Sequence, residues 1–125
     1  MLIKTQKIAL TLAAICTCGS AWSQAYPNKT VRILVGYAPG GGTDIMARAV
    51  SARLSESLKQ QFVVENRPGA NANIAAKLAA EAPADGYTIL FMSVSHIMSK
   101  PVYKNLGYDI ERDLTPITVV SNVPN

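Results

Sequence analysis

Three consecutive glycines, Gly40-Gly41-Gly42, run directly into Thr43 and Asp44, and no other stretch of the chain is better suited to holding an anion. Without Cβ atoms the backbone can adopt positive φ and let a ligand approach its N–H groups closely. A helix starting at Thr43 would add unpaired donors and about half a positive charge. Together these favour a carboxylate or a phosphate. Thr43 or Asp44 also suits an N-cap position, so the anion role belongs to the glycine backbone more than to either side chain. A second segment, Pro68-Gly69-Ala70-Asn71-Ala72-Asn73, repeats the design. Pro68 stiffens it, Gly69 frees it, and Asn71 or Asn73 can cap the helix that follows. Ser95 and His96 form a third candidate group, with a pocket-lining or hydrogen-bonding role.

Other chemistries fail on spacing. Counted from Gly40, Ile45 stands where a dinucleotide fingerprint needs its third glycine, and Thr43 follows Gly42 where a P-loop needs lysine. Glu65 comes 21 residues after Asp44, roughly where a Rossmann fold places its ribose-binding acid, but without that fingerprint. His96 is the only histidine, and Ser95 beside it in sequence does not make a nucleophile–base pair. No His, Cys or carboxylate cluster has metal-ligand spacing. No catalytic residue, metal or cofactor is assigned.

The elements that must position these residues alternate. Residues 31–35, Val-Arg-Ile-Leu-Val, read as a buried strand between turn residues. From Thr43 the period becomes helical, with Met46, Val50, Leu54 and Leu58 as an apolar stripe and Arg48, Ser51 and Ser55 opposite. Residues 62–65 form a second strand. Residues 71–82 form a second helix with Ile74 and Leu78 on its apolar side, ended by Pro83 and Gly86. Residues 87–92 give a third strand and 117–120 a fourth. This order predicts an α/β fold, a parallel-rich sheet with helices on both faces. All strand-to-helix loops then gather at one edge, where open α/β sheets bind ligands. Those loops are residues 38–44, 66–73 and 93–99.

Residues 1–25 have a secretory leader's layout: Lys4 and Lys7, an apolar run from Ile8 to Cys16, and small residues before a cut after Ala25. The run is too short for a stable span, which needs about 20 apolar residues. Cleavage would remove both cysteines, Cys16 and Cys18, leaving no thiol for a disulfide or metal site. It would also lower the formal charge from +4 to +2, an ordinary soluble surface that gives nucleic-acid binding no support. Residues 26–125 can bury one modest core.

Tyr26-Pro27-Asn28-Lys29, residues 31–35, Ala38-Pro39 with the 40–44 loop, Val64-Glu65-Asn66-Arg67-Pro68-Gly69-Ala70, Asp85-Gly86-Tyr87-Thr88 and Tyr108-Asp109 follow in a recognisable order. In that order they resemble the substrate-binding proteins of tripartite tricarboxylate transporters, the Bug receptors, across nearly all of residues 26–125. The resemblance implies a two-lobed type II periplasmic binding protein fold, with 26–125 as its first lobe, ending near the crossover to the second. It implies a periplasmic, monomeric receptor that captures a small carboxylate and delivers it to membrane permease components. Residues 40–44 and 68–73 would form one jaw, gripping through backbone donors and bridging waters. Two positions depart from the family pattern: Ala72 stands where another glycine is usual, and Lys59 replaces a common glycine after the first helix. A secreted enzyme using the same anion-binding cleft and a sensory ligand-binding module stay open as alternatives. If the leader is processed as expected, N-terminal sequencing of the exported protein will begin at Tyr26; a start at Met1 would refute it.

Overall fold

The computed structural model describes residues 25–103 and 105–122. Apart from Ala25, the expected leader lies outside these residues, as do Cys16 and Cys18. Three strands form one parallel sheet: β1 (Val31–Val35), β2 (Phe62–Asn66) and β3 (Thr88–Phe91), in the order β2-β1-β3. The register sets Ile33 beside Val64 on one side and Ile89 on the other. Side chains alternate across a strand, so Val31, Ile33, Val35, Phe62, Val64, Ile89 and Phe91 share one face, which makes the main apolar core with Ala47 and Leu54. Leu34 points to the opposite face and is as fully buried. β1 is therefore apolar on both faces apart from Arg32 at its start, as suits a central parallel strand.

Helix α1 (Gly42–Leu58) packs on β1 and β2, and α2 (Asn73–Ala80) packs on β1 and β3. The chain moves from β1 outward to β2, then back across β1 to β3. Right-handed crossovers then place the two helices on opposite faces. The expected fold class stands, with helices on both faces of a parallel sheet.

The buried stripe of α1 differs from the sequence-predicted one. Asp44, Ala47 and Ser51 face inward, whereas Met46 and Leu58 are each 40 % exposed. Serine replaces larger residues there because its hydroxyl completes the backbone of the edge strand. Ser51 donates to the Phe62 carbonyl. Ser55 accepts from the Phe62 N–H at 3.0 Å and donates to the Ser51 carbonyl at 2.8 Å. Small residues let helix and strand approach closely, and the hydroxyls satisfy groups that burial would otherwise leave costly.

Helix α2 is shorter than expected, and its sheet-facing residues are Asn73, Ala75 and Ala76, with Ile74 and Leu78 exposed. Residues 93–99 are not a loop: α3 (Val94–Val102) starts directly after Ser93 and packs on α2. A one-turn helix, α4 (Ile110–Asp113), is capped by Asp109, whose Oδ1 accepts from the Glu111 and Arg112 N–H groups. Residues 117–120 form no strand; Ile117 and Val119 are strongly exposed and pair with nothing in the sheet. Their β-branched pattern is a strand signal that finds no partner edge among the described residues.

Gly36, just past β1, fixes how closely the first two loops approach. A Cβ built there would lie 2.3 Å from the Ala72 Cβ and 2.9 Å from the Ala72 carbonyl oxygen. The obstacle includes backbone, so it cannot simply swing away. Gly36→Ala is expected to destabilise the protein by about 1–3 kcal/mol, the usual cost of overpacking a filled interior. Urea unfolding of the purified protein checks this; an unchanged midpoint would mean that the two loops are not in obligatory contact.

Candidate functional site

A parallel sheet ordered β2-β1-β3 has its topological switch between β1 and β3, and ligands of such sheets bind beyond the carboxyl ends of the strands at that point. Here the switch is lined with hydroxyls. Tyr37, two residues after β1, has its phenol oxygen hydrogen-bonded to Ser93 Oγ and Ser95 Oγ, and the two serine oxygens lie 2.8 Å apart. Three hydroxyls in mutual contact can each donate once and accept once; Ser93 Oγ also accepts from the His96 N–H in a capping box, so the free lone pairs are those of Tyr37 and Ser95. Ser95 was singled out in the sequence; Tyr37 and Ser93 were not. Their signal was only their place, at the ends of strands β1 and β3.

The glycine loop is built differently from its sequence-based description. Of its three glycines only Gly40 has positive φ, at 84°. Gly41 is the N-cap of α1, which has no side-chain cap, so neither Thr43 nor Asp44 takes that role. Asp44 sits in the first turn instead and reaches back: its Oδ2 accepts from the Gly40 N–H at 2.9 Å and from Arg48 Nε at 2.9 Å. Its Oδ1 accepts from Asn66 Nδ2 at 2.8 Å. Asn66 also donates to the Tyr37 carbonyl and accepts from Arg48, both at 3.0 Å. The Arg48 guanidinium, the Gly40 N–H and the Asn66 amide hold the Asp44 carboxyl far below the usual carboxylate range. Asp44 is thus a fixed internal anion at 2 % exposure, with both oxygens directed to internal donors. The Gly40 donor is spent on it. Among the described residues, the Gly42 and Thr43 amides have no backbone acceptor. Both residues keep solvent access, as a ligand site requires.

In the second loop, Pro68 and Gly69 lead into three successive left-handed residues, Ala70, Asn71 and Ala72, at φ 46°, 53° and 69°. For L-residues that conformation costs roughly 1–2 kcal/mol each, less for Asn. Ala72 is the N-cap of α2, again without a side-chain cap, so neither Asn71 nor Asn73 caps the helix. The Ala72 methyl turns toward Gly36 and is buried, so this departure from the family pattern does not project into the ligand space. Asn73 is buried as well, with its side chain bonded inside the protein. Glu65 accepts from Arg32 at 2.8 Å and from Arg67. Burial alone would push its carboxyl up, but the two guanidinium groups outweigh this and leave it below the ordinary value. The acid that a ribose-binding reading would need is committed to ion pairs.

The family model described as tripartite tricarboxylate transporter family receptor matches residues 46–125. A UPF0065 protein of Bordetella bronchiseptica is 40 % identical over 124 residues, covering 98 % of this chain and 37 % of that protein. The chain belongs to the tripartite tricarboxylate transporter receptor family. It spans little more than a third of that relative's length. The solved structure of the periplasmic binding protein BugD aligns with a TM-score of 0.65 at 38 % identity, over 67 % of this chain and 28 % of that one. R. palustris Rpa4515, solved with adipate, aligns with a TM-score of 0.51 at 48 % identity, over 52 % and 22 % of the two chains.

Within this receptor fold His96 is an interior residue, 0 % exposed, in the first turn of α3. Its Nδ1 lies 3.2 Å from the Ser93 nitrogen and also 3.2 Å from the Ser93 carbonyl oxygen. That carbonyl already accepts from the His96 amide. The Ser93 N–H needs an acceptor, which assigns Nδ1 as acceptor and leaves the proton on Nε2. Nε2 is buried with no partner at hydrogen-bond distance, and the Ala72 backbone lies near the ring. His96 therefore ties the start of α3 to Ser93 and packs edge-on against Tyr37, at 6.4 Å between ring centroids. It supports the hydroxyl cluster from behind. Among the described residues no group of three His, Cys, Asp or Glu could hold a metal.

Burial pushes the His96 imidazole below its ordinary value, and the backbone of Ser93 and Ala72 offsets only part of this. The unfolded chain then binds the proton more readily than the folded one. The stabilisation is complete above the unfolded value, near 6.5, and is lost as pH falls through the depressed folded value. Unfolding free energy should fall below about pH 6.5 with a slope of at most about 1.4 kcal/mol per pH unit from this group. His96→Gln should flatten that window. Asp44 contributes separately, and only at pH values near and below its unfolded 3.8. Denaturant titrations from pH 7.5 to 3 separate the two; an H96Q profile parallel to wild type above pH 5 would remove His96 from the account.

Proposed function

We propose that this protein is a periplasmic receptor that captures a small carboxylate and passes it to the membrane permease components of a tripartite transporter. One observation carries the reading: two helices start without side-chain caps beside the switch point of a parallel sheet, and hydroxyls from the ends of β1 and β3 join them. Helix starts of this kind favour anions through unpaired N–H groups and a partial positive charge. Family membership and the similarity to an adipate-bound protein support the ligand class. The carboxylate would lie against the Gly42 and Thr43 amides and residues 69–72, with Ser93, Ser95 and Tyr37 taking another polar group of the ligand.

On this reading, residues 26–125 make one lobe after an N-terminal leader is removed, and the remainder of the family's length supplies the opposing jaw. The receptor acts as a monomer, and the ligand leaves chemically unchanged. No helix among the described residues is long and apolar enough to cross a membrane. The protein should gain stability by mass action with some member of a panel of dicarboxylates, tricarboxylates, aromatic acids and amino acids. At a ligand concentration 100 times Kd the gain is about 2.7 kcal/mol. Thermal unfolding across that panel, followed by calorimetry and recovery of the intact ligand, tests the proposal. A flat response throughout, or a ligand recovered altered, would reject it.

A further inference from the structure

Asn73 was expected to touch the ligand, yet its side chain points into the protein and is fully engaged there. Its Nδ2 donates to the Ala70 carbonyl at 2.7 Å and to Ser99 Oγ at 3.0 Å. Its Oδ1 accepts from the Tyr108 hydroxyl at 2.6 Å. The Asn73 backbone N–H closes on the same Ala70 carbonyl at 3.1 Å. Ser99 donates to the Ser95 carbonyl at 2.8 Å, which carries the chain of bonds into the first turn of α3. Asn73, Ser99 and Tyr108 are all buried, at 6, 1 and 8 % exposure. A buried polar network with every member paired fixes one arrangement of the groups it joins.

The arrangement it fixes is an unfavourable one. Two bonds from Asn73 converge on Ala70, the first of three left-handed residues, and the third, Ala72, is pinned against Gly36. A run of left-handed residues persists only where its surroundings over-determine it. Tyr108 lies 35 residues further along the chain and outside all three loops. It is nevertheless the donor that orients the Asn73 amide.

We infer that Tyr108 and Asn73 are positioning residues of the ligand site: they hold residues 70–72 in the left-handed run that presents this loop to the ligand. The ligand part of this inference rests on the carboxylate-receptor reading; the conformational part does not. Cutting the Tyr108 bond lets the loop sample other conformations, so only a fraction of molecules is competent to bind. Apparent affinity falls by that fraction, through slower association and with unchanged dissociation.

The test uses the purified protein, Tyr108→Phe, and the double variant Tyr108→Phe/Ala70→Gly. Ala70 is exposed, so the glycine removes a left-handed penalty without removing buried packing. Hydrogen exchange of residues 67–73 needs no ligand. It should quicken about tenfold in Y108F, at a temperature where the variant is fully folded by circular dichroism, and be slowed again by Ala70→Gly. With a carboxylate from the panel, the association rate should fall about tenfold and recover in the double variant. Unchanged exchange in the loop would overturn the inference whether or not carboxylates bind. A loss of affinity that resides in the dissociation rate, or that the glycine does not restore, would overturn it as well. Quickened exchange in a protein that binds no carboxylate would uphold the positioning role and reject the carboxylate reading alone.

Discussion

Behind the carboxyl end of β1, the missing side chain of Gly36 leaves the space that the Ala72 methyl occupies. Because β1 is the central strand and runs parallel to both neighbours, its exit lies between the exits of the other two. The loop from β2 can reach the switch point only by passing this spot. A close backbone approach there draws the second helix start toward the first. The Arg67 N–H bonded to the Val35 carbonyl at 2.8 Å extends the ladder one residue beyond β2 and sets the angle of departure. The relative position of the loops thus depends on a few backbone contacts at the end of one strand, not on long side chains that could adopt several rotamers.

The polar interior follows from that geometry. Loops brought so close to a sheet edge carry N–H and C=O groups that need partners. Asn66, the last residue of β2, supplies both a donor and an acceptor within reach of Tyr37, Asp44 and Arg48. Asp44 in turn gives Gly40 an acceptor. An anion-binding site beside a fixed carboxylate is less contradictory than it looks. Asp44 carries its own counter-charge in Arg48 and directs its oxygens to internal donors. The amides one and two residues before it along the chain stay clear of those bonds.

The three strands of the sheet were legible in the sequence because each is a short, β-branched or aromatic run between turn residues, though the same signal at 117–120 makes no strand, and their alternation with helical periods implied a parallel sheet. The gathering of the loops at one edge followed from topology alone. Side-chain roles were less legible. Met46 and Leu58 looked like core because apolar spacing was taken as the burial signal, whereas α1 buries Ala47 and Ser51 to reach an edge strand that needs hydroxyl donors and acceptors. Asp44 and Asn73 looked like caps or contacts because their types suit both. Only the bonds to Arg48, Asn66 and Tyr108, at separations of 4, 22 and 35 residues, reveal them as internal struts. His96 was placed in a loop because it follows directly on the third strand; the helix α3 begins there at once, and tolerates Pro101 because the proline falls in its last turn.

The helix starts show a division of labour that bears on what the site is for. α4 has the usual device, with Asp109 accepting from two amides of the first turn, and α3 has a capping box between Ser93 and His96. α1 and α2 begin at Gly41 and Ala72, neither of which has a side chain able to accept a hydrogen bond. A Ser or Asp in place of Gly41, whose backbone is extended, would satisfy an amide of the first turn, with a gain over glycine of roughly a few tenths of a kcal/mol. It would also occupy the donor that a ligand oxygen could use. Leaving α1 and α2 without side-chain caps, while α3 and α4 carry them, has a simple physical reading. The missing acceptor is expected to come from outside, and a carboxylate with two oxygens could serve both helix starts at once.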